Sequence, residues 1–222
     1  MFIEEMQMAD LNKENIAFVN ILSEAGAIKS KKLFDAFVHV PRHLFVRESD
    51  EDSAYIDMPL SIGENSTISQ PSTVAIMLEA LELENGNKVL EMGTGSGWNA
   101  ALMGYCIGTK GKVITLEIEE EIAEFAKKNI LKLNIMNVLV LCKDGSNGYA
   151  DEAPYDRIIY TAATKEVPAS VLAQLNVSGI LLAPVGTGFV QLLTKIKKLD
   201  KNRFDKMELG YFQFVPLRSP GM

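Results

Sequence analysis

The sequence predicts a doubly wound α/β fold, with a mostly parallel sheet, antiparallel C-terminal strands and an N-terminal helical segment. Three observations predict it. From residue 71 onward, short apolar runs alternate with amphipathic helical stretches, the order that builds a parallel sheet covered on both faces. The first run, KVLEM (88–92), leads into a turn with glycines at 93, 95 and 97 and then into an apolar helical stretch. After Gly186 the helical periodicity stops, and two further strand-like runs close the chain.

Taken in order, residues 11–25 carry Ile16, Val19 and Leu22 at helical spacing, with Gly26 as a stop. A second short helix is expected over 30–38, stopped near Pro41. The stretch 47–70 reads as irregular, acidic at Asp50, Glu51 and Asp52, and a loop of that length is usually functional. A helix over 71–83 then leads to the strand at 88–92. A helix over 98–106, the strand KVITLE (112–117) and a charged helix over 119–133 follow. NVLVLC (137–142) and YDRIIYTA (155–162) read as strands, with a helix near 168–175 and a strand GILLAPV (179–185) after them. FVQLLTKIKK and ELGYFQFVPL are the closing antiparallel pair. We divide the chain at residue 70, with a helical segment and cleft-side loop over 1–70 and a ligand-binding core over 71–222, together one compact unit.

Composition narrows the function. At 222 residues and 47% apolar, the chain is one domain with a sizeable core. A net charge of −7 argues against nucleic acid as the main partner. The basic cluster Lys195, Lys197, Lys198, Lys201 and Arg203 is interleaved with Asp200 and Asp205 and reads as a solvated strand end and turn. Cys106 and Cys142 each sit in an apolar segment without metal-ligand spacing, so both are expected as buried thiols in a reducing compartment, with no metal site. The acidic N-terminal stretch lacks the order of a signal peptide, and no 18-residue apolar run could span a membrane. The expectation is a soluble cytoplasmic protein, by default a monomer because no long apolar stripe is evident.

The chemistry is concentrated in the turn Gly93-Thr94-Gly95-Ser96-Gly97. Glycines between strand and helix permit positive φ and let backbone N–H groups approach a ligand. A dinucleotide fingerprint needs its third small residue three positions after its second glycine; counted from Gly93 that position is Trp98, and counted from Gly95 it is Ala100. Spacing thus weakens the dinucleotide reading without removing it. No Lys-Ser or Lys-Thr follows to make a phosphate-binding loop. Glu91, two residues before the first glycine, suits an ammonium or sulfonium better than a pyrophosphate. Glu117 ends the next strand, where a carboxylate can accept from both ribose hydroxyls. Asp144-Gly145 follows the third strand, where an adenine edge would lie. Either glutamate alone could be a solvated strand end; jointly they describe a site for S-adenosylmethionine, adenosine without phosphate.

These residues resemble the protein-L-isoaspartate (D-aspartate) O-methyltransferase family across roughly 35–217. The resemblance is carried by VPRHLFV (40–46), AYIDMPLSIG (54–63), TISQP (67–71) and KVLEMGTGSGWNAAL (88–102). It continues through DGSNGY (144–149), APYDRIIYTAA (153–163), GILLAPVG (179–186) with Gln191, and FVPL (214–217). It implies a Rossmann-like methyltransferase core. It also implies methyl transfer from S-adenosylmethionine, leaving S-adenosylhomocysteine, to the free α-carboxylate of L-isoaspartyl residues in damaged proteins and peptides, which initiates repair. In the family the hydroxyl of TIS is the active-site residue, here Ser69; Thr67 and Ile68, just before it, are expected on the substrate side. Three departures stand out: Asn65-Ser66 where Gly-Gln is usual, Trp98-Asn99 for Tyr-Gln, and Ser178 for the first of two glycines.

The hydroxyl-rich run 66–73 fits this chemistry. A carboxylate is already ionised at pH 7, so it needs alignment rather than a general base. A serine hydroxyl donating to the non-attacking oxygen would supply that alignment. Ser69 also fits a helix N-cap, and the two roles are compatible at a helix N-terminus. Ser66, Ser72 and Thr73 are assigned to capping and surface, His39 and His43 to packing. Asp57 is left outside the catalytic set, as a substrate contact or a turn residue. Three alternatives stand beside this reading: a same-family methyltransferase with a dedicated peptide partner, suggested by Asn65-Ser66; a non-catalytic cofactor-binding module; and a dehydrogenase, disfavoured by Glu91.

Overall fold

The computed structural model describes residues 2–219, with side chains from residue 10 onward. Helix α1 (Phe2–Glu24) begins well before residue 11 and is followed by α2 (Lys31–His39). The stripe that α1 buries is Leu11, Asn15, Val19 and Leu22, whereas Ile16 is 47% exposed. Asn15 takes the inward position because its amide donates to the carbonyls of Phe37 and Val38 at 3.2 and 3.0 Å, two of the acceptors left open at the end of α2. Ser30 caps α2 by accepting from Leu33 N–H.

The stretch expected to be irregular contains a hairpin, β1 (Leu60–Gly63) and β2 (Ser66–Ile68). Its two-residue turn, Glu64-Asn65, has φ of 46° and 51°, the doubly left-handed form that matches strand twist. Asn65, one of the departures from the family pattern, is therefore the residue that tolerates this conformation best after glycine. Strands of four and three residues, mostly polar, leave no periodicity to read. Helix α3 (Pro71–Leu81) follows, with Pro71 at its first position. Its N-cap is Gln70, not Ser69, and the capping acceptor is Asp57, whose carboxylate takes the Ser72 N–H at 2.8 Å and the Gln70 amide at 3.0 Å.

The main sheet runs through β3 (Lys88–Met92), β4 (Lys112–Glu117), β5 (Val138–Cys142), β6 (Tyr155–Tyr160), β7 (Leu175–Val185), β8 (Gln191–Lys198) and β9 (Phe204–Phe212). Its order is β5-β4-β3-β6-β7-β8-β9, parallel through β7, with β8 and β9 antiparallel. Helices α4 (Trp98–Ile107), α5 (Glu120–Leu131) and α6 (Ala169–Ala173) join the parallel strands. One apolar cluster carries Val19, Phe37, Val74, Leu102 and Val113; the other carries Leu90, Ile114, Ile158, Val171 and Leu181. Strand order diverges at β3, toward β4 and β5 on one side and β6 and β7 on the other, so a crevice opens beyond the C-terminal ends of β3 and β6.

Two expectations change here. Cys106 is buried, and burial pushes its thiol up to about 12, but Cys142 ends the edge strand β5 and is exposed. Lys198 is not part of a solvated strand end: it is buried, and its ammonium donates to the Leu175 carbonyl at 2.6 Å. Among the described residues no helix is long and apolar enough to cross a membrane, and no group of three metal-ligating side chains gathers.

Candidate active site

The cleft at this crevice holds about 880 Å³ of empty space, its open mouth included. One wall is the glycine turn between β3 and α4. Gly93 has φ +97°, and a Cβ there would lie 2.6 Å from the Thr161 hydroxyl, which is hydrogen-bonded to the Met92 and Gly93 carbonyls. Gly97 has φ +84°, and a Cβ there would press on Ile130 and Ala126 of α5 at 3.0 and 3.2 Å. Gly95 has φ +53° and faces the hairpin: a Cβ there would sit 3.6 Å from the Thr67 carbonyl. The turn and the hairpin thus meet as two sides of one space.

Glu117 lines the cleft at the end of β4. Its carboxylate accepts from Gly95 N–H at 2.9 Å, Ile118 N–H at 3.0 Å and Glu119 N–H at 3.3 Å, which fixes its plane and leaves acceptor capacity toward the cleft. Thr94, Ser96, Gly145, Thr67, Ile68 and Ser69 line the same space, and so do Ser66 and Asn99. Ser69 is held through its carbonyl, which accepts from Arg42 at 3.2 Å. Ser66, expected to serve capping and surface, instead accepts from Arg218 at 2.8 Å.

Glu91, Gly97 and Asp144 do not line the cleft. Asp144 accepts from the backbone and hydroxyl of Ser146 at 2.8 and 3.0 Å, closing the turn that presents Gly145. Glu91 is fully buried behind Asn99, whose amide donates to it at 2.7 Å, and the Thr115 hydroxyl donates to its other oxygen at 2.6 Å. Burial raises the Glu91 carboxyl to about 7; the nearby Glu117 charge adds to this, while the two donors oppose it. A folded value above the ordinary 4.5 means that the native state holds the proton more tightly than the unfolded chain. The stabilisation this gives is complete below pH 4.5 and is lost as pH rises through 7, a span of about 3 kcal/mol at ~1.4 per unit. Denaturant unfolding of wild type and Glu91→Gln between pH 5 and 8 should therefore shift in favour of the variant as pH rises; a difference flat across that range refutes the assignment.

Several lining residues had no role assigned from the sequence. Phe214, Val215, Pro216, Leu217 and Arg218 form the opposite wall, although FVPL reads as a strand end and as part of the family resemblance, with no place at the cleft. They are held there by the Ala163 N–H to Val215 carbonyl and Leu217 N–H to Ala163 carbonyl bonds, both 2.8 Å, and by Gln191, which accepts from Phe214 N–H. Arg218 then reaches across the mouth to Glu119 at 2.7 Å and to Ser66 and the Glu64 carbonyl in the hairpin. His43 and His39 stay outside the cleft, His43 against the Tyr55 hydroxyl and His39 stacked on Tyr105.

These residues fit S-adenosylmethionine. A positive-φ turn whose backbone faces the cleft at Gly93 and Gly95, and a carboxylate fixed by backbone N–H groups at the second strand end, suit an adenosine-bearing sulfonium.

Comparison with known proteins agrees. A sequence profile of the protein-L-isoaspartate(D-aspartate) O-methyltransferase family matches residues 12–220. A protein-L-isoaspartate O-methyltransferase of Methanosarcina mazei is 42% identical over 96% of this chain and 88% of its own length. One of Ignicoccus hospitalis is 48% identical over 89% of this chain and 93% of its own. A solved protein-L-isoaspartate O-methyltransferase superposes with a TM-score of 0.83 at 33% identity, covering 91% of this chain and 65% of that one. A chain from Plasmodium falciparum, named for the same activity and solved with S-adenosyl-L-homocysteine, gives 0.82 at 25% identity over 92% of this chain and 98% of that one.

Proposed function

The chain belongs to the protein-L-isoaspartate(D-aspartate) O-methyltransferase family, and from that membership we propose how its own residues divide the work of the reaction. The reaction is methyl transfer from S-adenosylmethionine to the free α-carboxylate of L-isoaspartyl residues, the step that initiates repair of damaged proteins. When bound, S-adenosylmethionine supplies a methyl group on a positively charged sulfur that is its own leaving group.

Glu117 would accept from the ribose hydroxyls, the backbone of Gly93, Thr94, Gly95 and Ser96 would cradle the remainder while Gly97 sets the turn against α5, and Gly145 would lie at the adenine edge. Glu91 acts from behind Asn99, fixing the amide that faces the cleft. The substrate carboxylate enters against Thr67, Ile68 and Ser69. The Ser69 hydroxyl donates to its non-attacking oxygen, so the other oxygen points along the methyl–sulfur line. No base is required, because the attacking group is ionised at neutral pH. Alignment of this kind accounts for up to ~7–11 kcal/mol of a barrier. Phe214 and Leu217 add apolar side chains to the same lining. The protein acts as a monomer in the cytoplasm on this reading, and its two cysteines, unpaired in the structure, suit a reducing compartment.

The observation that carries the assignment is the approach of Gly95 to the Thr67 carbonyl, which places the glycine turn and the hydroxyl-bearing hairpin around one space. Incubation with methyl-labelled S-adenosylmethionine and two peptides, identical except for an isoaspartyl or aspartyl residue, tests it. Base-labile label is expected on the isoaspartyl peptide alone. Label on neither, with cofactor binding verified, overturns the reading and favours a dedicated protein partner.

A further inference from the structure

Arg42 is 1% exposed and lies outside the lining of the cleft, yet its two terminal nitrogens donate to four backbone carbonyls. One terminal nitrogen donates to the carbonyls of Ala54 at 2.9 Å and Ile56 at 3.3 Å. The other donates to the carbonyls of Met58 at 2.8 Å and Ser69 at 3.2 Å. Met58 lies two residues before β1 and Ser69 one residue after β2. A single nitrogen therefore pins both feet of the hairpin that carries Thr67 and Ile68. The guanidinium also sits 5.6 Å over the ring of Trp98, the first residue of α4, and the Trp98 indole N–H donates to the Val40 carbonyl at 2.9 Å. Trp98 directly follows Gly97 of the glycine turn and itself lines the cleft.

Arg42 thus stands between the two halves of the site. The hairpin is hydrogen-bonded to this planar group at both feet, and the ring of Trp98, the residue after the turn, lies 5.6 Å from it. Burial lowers its pKa to about 10, so it remains charged at neutral pH, with four carbonyl dipoles compensating the desolvation. Its Nε has no partner, so the guanidinium is not held by an ion pair along its stem; the near charge is Asp57, which caps α3 just beyond Ser69.

We propose that Arg42 is a positioning residue for methyl transfer, setting Ser69 at its working distance from the glycine turn by clamping both feet of the β1–β2 hairpin over Trp98. This rests on the role assigned to Ser69 above. Lysine cannot replace it: one ammonium has three donors and no plane, against four carbonyls and a stacked ring.

The test is a double-mutant cycle on kcat with an isoaspartyl peptide, using Arg42→Lys and Ser69→Ala, each rate taken per folded molecule from circular dichroism. Arg42→Lys should lower kcat about 10-fold or more with the KM for S-adenosylmethionine changed less than about threefold, a loss made only in the transition state. In the Ser69→Ala background the same change should cost less than about twofold, because the alignment it protects is already gone. A purely structural arginine lowers both backgrounds equally, and that result overturns the proposal, as does an Arg42→Lys protein with wild-type kcat. If Ser69→Ala alone leaves kcat unchanged, the Ser69 reading itself fails, which is a separate outcome. Where Arg42→Lys does not fold at 25 °C, Arg42→Gln assayed at 10 °C gives the same comparison, and activity proportional to the folded fraction counts against the proposal.

Discussion

Ser69→Ala lowers kcat toward an isoaspartyl peptide by about 10- to 100-fold while the affinity for S-adenosylmethionine changes less than about twofold. The magnitude is that of one hydrogen bond to a charged group, ~1.5–3 kcal/mol, at about 1.4 kcal/mol per decade. The selectivity follows from where Ser69 stands. It lines the cleft on the hairpin side, after β2, whereas the cofactor contacts arise from the turn after β3 and from Glu117. The Ser69 carbonyl, which Arg42 holds, is retained in alanine. Nor does the change remove a helix cap, because Asp57 supplies that to α3. Stability should therefore stay within about 0.5 kcal/mol, as for a substitution that touches no cap or core. Steady-state rates at saturating cofactor, with thermal unfolding beside them, read both. A variant of unaltered turnover would falsify the assignment of Ser69.

Glu117→Ala has the complementary effect, weakening S-adenosylmethionine binding by about 30- to 1,000-fold, or about 2–4 kcal/mol. Two losses combine. The ribose hydroxyls lose a charged acceptor, and the Gly95, Ile118 and Glu119 N–H groups lose the carboxylate that fixes them. Glu117→Gln keeps one acceptor oxygen and should fall between wild type and alanine. Titration calorimetry with S-adenosylhomocysteine measures this without turnover, so slow chemistry cannot imitate it. An unchanged dissociation constant for Glu117→Ala would remove Glu117 from the cofactor site.

The parallel core was legible because its signals are local. KVLEM and KVITLE are strands over the residues expected, since a strand buried on both faces must be a continuous apolar run and a glycine turn marks its end. The short hairpin was not legible: strands of three and four residues are set by the Glu64-Asn65 turn and by Arg42, not by alternation. Ile16 was assigned inward by spacing alone, and the demand of two α2 carbonyls for a donor gave that place to Asn15. At the site, Glu117 and the glycines lie where residue type and position suggested. Glu91 carries the same residue type at an equally apt position, yet it is one layer back because Asn99 intervenes. The roles of Arg42 and Arg218 were not legible: Arg42, although inside VPRHLFV, acts on backbone carbonyls 12 to 27 residues away, and Arg218 on a carboxylate, a carbonyl and a hydroxyl 99 to 154 residues away, for which a linear sequence has no spacing rule.

The Arg218 bridge has a consequence for how the molecule assembles. Its bonds to Glu119 and Ser66 join residues 99 and 152 positions apart, among the most distant pairings in the chain. Such contacts form only after both partners are already anchored, because closing a long loop costs entropy before any contact returns it. Held by a few partly solvated polar bonds, the mouth is expected to be among the first parts of the structure to open. An entrance through which a cofactor and a polypeptide must both pass is closed by contacts that cost little to release.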